Sequence, residues 1–216
     1  NMKDAKDAIS ATEDVETAKK AFSILKAEYA DDGINNGSVT EVVPTWDGTA
    51  DTTWYNDTDT EFVIDSAEDL AGLAKLVDEG NTFAGKTVTL SKNLDLDNKL
   101  FEPIGSYRKD KPFKGTFDGQ GYTIANMSQN TWELDNGYEY DDLGLGLFGK
   151  VEDAKVANLI MDGVSISGET AMCGTIAATA YGDCTFENIT VMNAKVNDYL
   201  YYAGGVVGWA SGDHTY

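Results

Sequence analysis

"VANLIMDGVSI", residues 156–166, returns thirty residues later as "FENITVMNAKV", residues 186–196. Each copy sets an asparagine, Asn158 or Asn188, just before an apolar residue, and Val164 and Ile166 in the first answer Ala194 and Val196 in the second. The same figure stands earlier as Ile124-Ala125-Asn126-Met127, so the intervals are 32 and 30 residues. A second thread runs Gly146-Leu147-Phe148, Gly174-Thr175-Ile176 and Gly205-Val206-Val207. Two threads in register, built of short β segments parted by glycine turns, predict a β-solenoid in which each rung covers the one before it. The expected fold class is mainly β, a parallel β-helix. Asn126, Asn158 and Asn188 are expected to form one internal ladder, each amide bonding the next rung.

"PFKGTFDGQGYTI", residues 112–124, leads into the first copy. A phosphate loop needs a lysine and a hydroxyl after its last glycine at the start of a helix, whereas Gly121 is followed by Tyr122-Thr123-Ile124, which enters a strand. A calcium loop needs oxygen ligands at alternate positions, and only Asp118 is offered. The stretch reads as a tight turn, with Gly119 and Gly121 taking backbone angles that other residues avoid and Phe113, Phe117 and Ile124 facing the core.

Upstream, Ala8, Ala11, Val15, Ala18, Phe22, Leu25 and Tyr29 recur at helical spacing, with Thr12 as N-cap and Gly33 as stop. Residues 1–33 are therefore expected to be an N-terminal helical segment, either an oligomerising coil or a helix packed on its own domain. Residues 34–60 read as a linker or the start of a cap. In residues 61–97 a strand, a helix and a strand form the cap: Ser66 is the N-cap, Asp69 stands three residues on, Leu70, Leu73, Ala74 and Val77 form the apolar stripe, and Gly80 ends the helix. "KTVTLSKNLDL" reads as one alternating strand. Residues 61–216 make the solenoid, which stops in mid-rung and is expected to be incomplete at its C-terminal end. The start at Asn1 suggests a processed or excised piece.

At this point the chain resembles a known family. "FVIDSAEDLAGLAKLVDEGNTFAGKTVTLSKNLDLD", "FEPIG", "PFKGTFDGQGYTIANM" and "GLGLFGKV" resemble the β-solenoid modules of bacterial surface proteins with GLUG repeats. The resemblance covers residues 45–216 and is most specific from Phe62 to Met127. It implies a right-handed parallel β-helix, an exported protein at the cell surface or outside the cell, and an adhesive or structural role. It supplies no catalytic residues. Similar solenoids build phage fibres, so a virion, fibre or filament component is the alternative.

Composition narrows the chemistry. With 37 acidic and 16 basic residues the formal charge is −21, which repels nucleic acid and anionic membranes. Arg108 is the one arginine and His214 the one histidine, so phosphate clamps and proton shuttles are poorly supplied. No stretch is long and apolar enough to span a membrane. Cys173 and Cys184 fit buried thiols, with a disulfide within a rung as the other option. The acidic runs Asp57-Asp59-Glu61 and Asp95-Asp97-Asn98 read as solvated faces, so no cofactor and no metal site is expected beyond incidental calcium.

Polysaccharide lyases and hydrolases share this architecture, but Arg108, Lys109 and Lys111 stand in a polar loop with Asp110 as their carboxylate, and no catalytic residue is assigned. The segments before each glycine-led strand would stack on one edge and gather Trp132, Tyr138, Tyr140, Tyr199, Tyr201 and Tyr202. These rings are the expected ligand-binding residues, for a glycan or a protein. The function expected is a non-catalytic adhesin or ligand-binding stalk, able to oligomerise through the N-terminal helix or the open C-terminal rung.

Overall fold

The computed structural model describes residues 43–134, 144–168, 172–198 and 202–215. The helix expected over residues 1–33 lies outside the described residues. The rest is mainly β and winds into a parallel β-solenoid of about five turns. In chain order come β1 (Glu61–Ile64), α1 (Ala67–Asp78), β2 (Thr87–Leu90), β3 (Leu94–Asp95), β4 (Thr116–Asp118), β5 (Thr123–Ala125) and β6 (Ser128–Asn130). Then follow α2 (Thr131–Leu134), β7 (Gly144–Leu145), β8 (Phe148–Glu152), β9 (Lys155–Asp162), β10 (Ser165–Gly168), β11 (Met172–Gly174) and β12 (Ala177–Tyr181). The last are β13 (Cys184–Met192), β14 (Lys195–Asp198), β15 (Tyr202–Gly204), β16 (Val207–Ser211) and β17 (His214–Thr215). One wall runs β1-β2-β4-β9-β13-β17, with β3 and β5 joined to it through β9. The other walls are β6-β10-β14, β7-β11-β15 and β8-β12-β16.

Helix α1 covers one end of the core. The Ser66 side chain accepts from the Asp69 N–H at 3.1 Å, satisfying one orphan donor of the first turn, and the Asp69 carboxylate reaches back past the cap to accept from the Asp65 N–H at 3.2 Å. Leu70, Leu73, Ala74 and Val77 are buried, and Gly80 follows the helix at φ +110°. The stretch 43–60 packs on this cap. Trp46 is buried edge-on against Phe101 at 5.9 Å, and Trp54 packs against Phe62 at 5.6 Å. "KTVTLSKNLDL" is two strands, β2 and β3. Asn93 falls in the break between them, where its side-chain oxygen accepts from the Thr123 N–H at 2.9 Å, a job that a straight strand would not allow.

Beneath the cap the core is aromatic: Phe83, Phe113 and Phe148 follow one another at 5.9 and 5.2 Å, and Phe117 meets Phe148 at 5.6 Å. In the following rungs Leu159, Met161, Val164, Ile166 and Ile176 fill the space. Cys173 and Cys184 are free, buried thiols.

Three of the corners turn on left-handed residues. Asn158, at φ +53°, lies inside β9, and Asn188, at φ +54°, lies inside β13. Across each the alternation resets: Val156 is buried before Asn158, and Leu159 and Met161 after it. Each strand thus folds round a corner without ending. Asparagine tolerates this conformation better than most residues. The Asn188 amide donates to the Asn158 side-chain oxygen at 2.9 Å, and the Asn158 amide donates to Asp118 at 2.9 Å. Asn126 (φ +56°), Gly163 and Asn193 (φ +50°) make a second corner, joined by the Asn126 N–H to the Asp162 carbonyl and the Gly163 N–H to the Met192 carbonyl. Asp153 (φ +49°), Gly182 and Gly212 make the third.

Asn126 therefore does not share a column with Asn158 and Asn188. Ile124 pairs with Met161, not with Val156, and it is Phe117 that pairs with Val156. The cause is the turn read in the sequence as Gly119–Gly121. From Asp118 to Thr123 the chain takes five steps, where the paired β9 takes three from Ala157 to Ile160. Gln120 and Gly121 hold the positive angles there, φ +52° and +80°. Gly119 is needed for space, since a Cβ would lie 2.6 Å from the Asn158 carbonyl oxygen. The glycine thread slips as well. Gly174 pairs with Gly204 instead of Gly205, since β11 and β15 pair thirty residues apart, and Phe148 pairs with Ala177 instead of Ile176, because four steps separate Cys173 from Ala177 where three separate Leu145 from Phe148.

Replacing Asn158 with alanine removes two axial bonds and puts a Cβ residue without a local hydrogen-bonding group in the left-handed region. The expected loss is about 2 kcal/mol. Asn158→Gly restores the backbone part alone and should melt between wild type and Asn158→Ala in a thermal scan. Equal melting of all three would remove the corner from the account.

Candidate functional site

"SYRKDK", residues 106–111, leaves the wall as a hairpin. The Ser106 and Lys111 backbones exchange hydrogen bonds at 2.8 and 2.9 Å, and Asp110 turns the tip at φ +53°. Both of its roots are tied to β8, since Ile104 bridges Phe148 and Phe113 bridges Val151. Between the roots Gly149 lies so close that a Cβ there would stand 2.4 Å from the Gly105 carbonyl oxygen. So anchored, the hairpin lies over the outer side of the β8-β12-β16 wall. Tyr107 packs there with Trp209 on the buried Met172 and Ala178, a small apolar cluster separate from the core.

Three half-buried rings line up on this wall. Tyr107 and Tyr181 lie with their planes 7° apart and centroids 6.4 Å apart, and Trp209, from the next rung, is 4.9 Å from Tyr181. Lys150, only 7% exposed, holds its ammonium 4.7 Å from the Tyr181 ring centroid, in a cation–π contact. The same ammonium is paired with Asp110 and lies 3.8 Å from Glu152. Lys114 is paired with Glu152, and Lys109 with Asp78 at 2.7 Å. Each of these lysines thus has its own carboxylate.

The charges are set accordingly. The hydrogen bond from Lys150 holds the Asp110 carboxyl below its ordinary value, and the bond to Glu152 raises Lys114. Burial, and then the neighbouring Tyr107 and Asp110, push Tyr181 up to about 12. A phenol kept protonated in this way serves as a hydrogen-bonding, stacking group and not as a base.

Of the aromatic edge expected from the sequence, Tyr138, Tyr140, Tyr199, Tyr201 and the side chain of Trp132 lie outside the described residues. Tyr202 begins β15 and is 52% exposed. Asn126, Asn158 and Asn188 stand at corners, as described. A shallow open groove of about 460 Å³ runs beside Asn158 and Asn188, also lined by Gln120 and Thr190. Among the described residues no three His, Cys, Asp or Glu side chains gather as a metal cluster. The strip of Tyr107, Tyr181 and Trp209 was not anticipated. Its signal was present, because Tyr181 and Trp209 end or lie in the strands that follow the glycine thread, but nothing in the sequence folds the hairpin back over them.

The chain is similar to a halomucin of Haloquadratum walsbyi, 31% identical over 158 residues. The match takes in 68% of this chain and spans 2% of that protein's length. No family model matches the chain, and no solved structure matches it.

The phenol of Tyr181 has an ordinary value of 10.0 and is raised in the fold to about 12. A group raised on folding contributes stability that is complete below its unfolded value and is lost as pH rises through the folded one. The wild type should therefore lose stability between pH 10 and about 12 more steeply than Tyr181→Phe. Melting curves of the two proteins across that window check this, and parallel curves would refute it.

Proposed function

We propose that the chain is a non-catalytic module of a far longer protein displayed outside the cell, and that it works as an adhesive or ligand-binding stalk. The observation that carries this reading is the match to a halomucin, in which a stretch of this size makes up a small fraction of the whole. The name places that relative among mucins, and an exported setting agrees with the GLUG-like sequence pattern. A wall of parallel rungs suits the task, since each rung is hydrogen-bonded to the next and stacking rungs builds an extended surface. The half-buried strip on β8-β12-β16 provides the contact surface, with Tyr202 on the neighbouring wall β7-β11-β15 as a more exposed ring beside it.

The raised Tyr181 and the carboxylate-paired Lys150 favour binding over proton abstraction, which weighs against a lyase. An antibody raised against residues 43–215 should label intact cells of the source organism, and protease applied from outside should remove the signal. Labelling that appears only after the cells are permeabilised would overturn the reading.

A further inference from the structure

We infer that the strip of Tyr107, Tyr181 and Trp209 is a stacking platform for an uncharged saccharide chain laid obliquely across the rungs of the β8-β12-β16 wall. This deepens the ligand-binding reading above and rests on it. The rings come from separate parts of the chain. Tyr107 is carried by the hairpin over β8, Tyr181 by β12 and Trp209 by β16, so the row climbs from rung to rung, obliquely, because Trp209 pairs with Thr179 and Tyr181 with Ser211. Centroid spacings of 6.4 and 4.9 Å are close to the length of one sugar unit. The row therefore presents ring after ring to successive units of a linear chain. Aromatic faces attract the C–H faces of sugar rings, while the polar rim meets their hydroxyls.

The lack of charge follows from the electrostatics. The total of −21 repels an anionic polymer at long range. The lysines beside the strip offer little to counter that, because Lys150, Lys114 and Lys109 are each paired with a carboxylate. An uncharged chain meets no such repulsion. An open row of rings, two nearly parallel and Trp209 tilted by 52°, suits a sugar chain better than a folded protein, whose side chains need pockets to fill.

The test is a fluorescence titration, reading tryptophan emission, of the chain with hexasaccharides of glucose, mannose and galactose, and with a galacturonate hexamer as the charged counterpart. At least one neutral hexamer should bind more tightly than the uronate, with an affinity that is unchanged on adding salt, since no ion pair forms. Tyr181→Ala should weaken it about tenfold or more, as expected for a central anchor. Because Tyr181→Ala also exposes Lys150, Trp209→Ala is the companion variant, read by calorimetry and by melting temperature. Loss of binding in a folded Trp209→Ala supports the platform. The inference is overturned if the uronate binds better, if salt abolishes binding, if no neutral hexamer binds, or if both folded variants bind as wild type does. Any of these results with the protein still found on intact cells sinks the platform and spares the exported module, whereas an intracellular location sinks the module itself.

Discussion

A parallel solenoid depends on the chain turning corners while its rungs stay hydrogen-bonded along the axis, and here three columns of corners are each made by one left-handed residue per rung. An ordinary side chain in that conformation costs about 1–2 kcal/mol, so only asparagine, aspartate or glycine recurs there cheaply. At Asn158 and Asn188 the bend is built into the middle of a strand, which lets β9 and β13 serve two faces in one register, paired from Thr185↔Lys155 to Glu187↔Ala157 before the corner and from Ile189↔Leu159 to Met192↔Asp162 after it. The buried alternation on either side of the corner then has to change phase, and the sequence obeys: Phe186 faces the core before Asn188, Ile189 and Val191 after it.

The corners are not interchangeable. One column is bonded through side chains, from Asp118 to Asn158 to Asn188. At another, Gly182 stands under Asp153, whose carboxylate would lie 2.1 Å from any Cβ placed there and accepts instead from the Asp183 N–H. Glycine at that corner thus leaves room for the aspartate of the neighbouring rung, besides taking the left-handed angle of φ +68°. The hairpin over the β8-β12-β16 wall is tied into the same framework. Its roots bridge β8, so the position of Tyr107 is fixed by backbone pairing and that of Tyr181 and Trp209 by the rungs themselves. A site assembled this way is held by the rigid part of the molecule, and its rings are ordered before any ligand arrives.

Much of this was legible in the sequence. The thirty-residue period named the architecture, and Ser66, Asp69 and Gly80 marked the cap helix, because local propensity and hydrophobic pattern agreed there. What failed was the register. The figure Ile124-Ala125-Asn126-Met127 matches Val156-Ala157-Asn158-Leu159 by residue type, yet both asparagines are there for the left-handed angle, and two different corners ask for the same residue. A motif selected by backbone conformation cannot say which corner it serves. The turn at Asp118–Tyr122 then shifts the count by two steps, a change that only the pairing of β4 and β5 with β9 reveals. The strip was hidden for a different reason: it is brought together by a hairpin whose polar residues carry no periodic signal.

The ladder also has a chemical lifetime. In the columns an asparagine always has a carboxylate or another asparagine as its neighbour: Asn158 beside Asp118, Asn126 beside Asp95, Asn193 beside Asp162. Strands in a sheet are about 4.8 Å apart, so hydrolysis of the Asn158 amide would set two anions one rung apart and remove the donor that joined them. Ageing of one side chain would turn a bond into a repulsion. The backbone nitrogen that attacks an asparagine amide is most accessible when glycine follows. Met127, Leu159 and Ile189 follow Asn126, Asn158 and Asn188 instead. Those apolar residues fill the core and at the same time shield the corners from spontaneous deamidation, a double duty that intact-mass measurement of aged protein would expose as slow conversion.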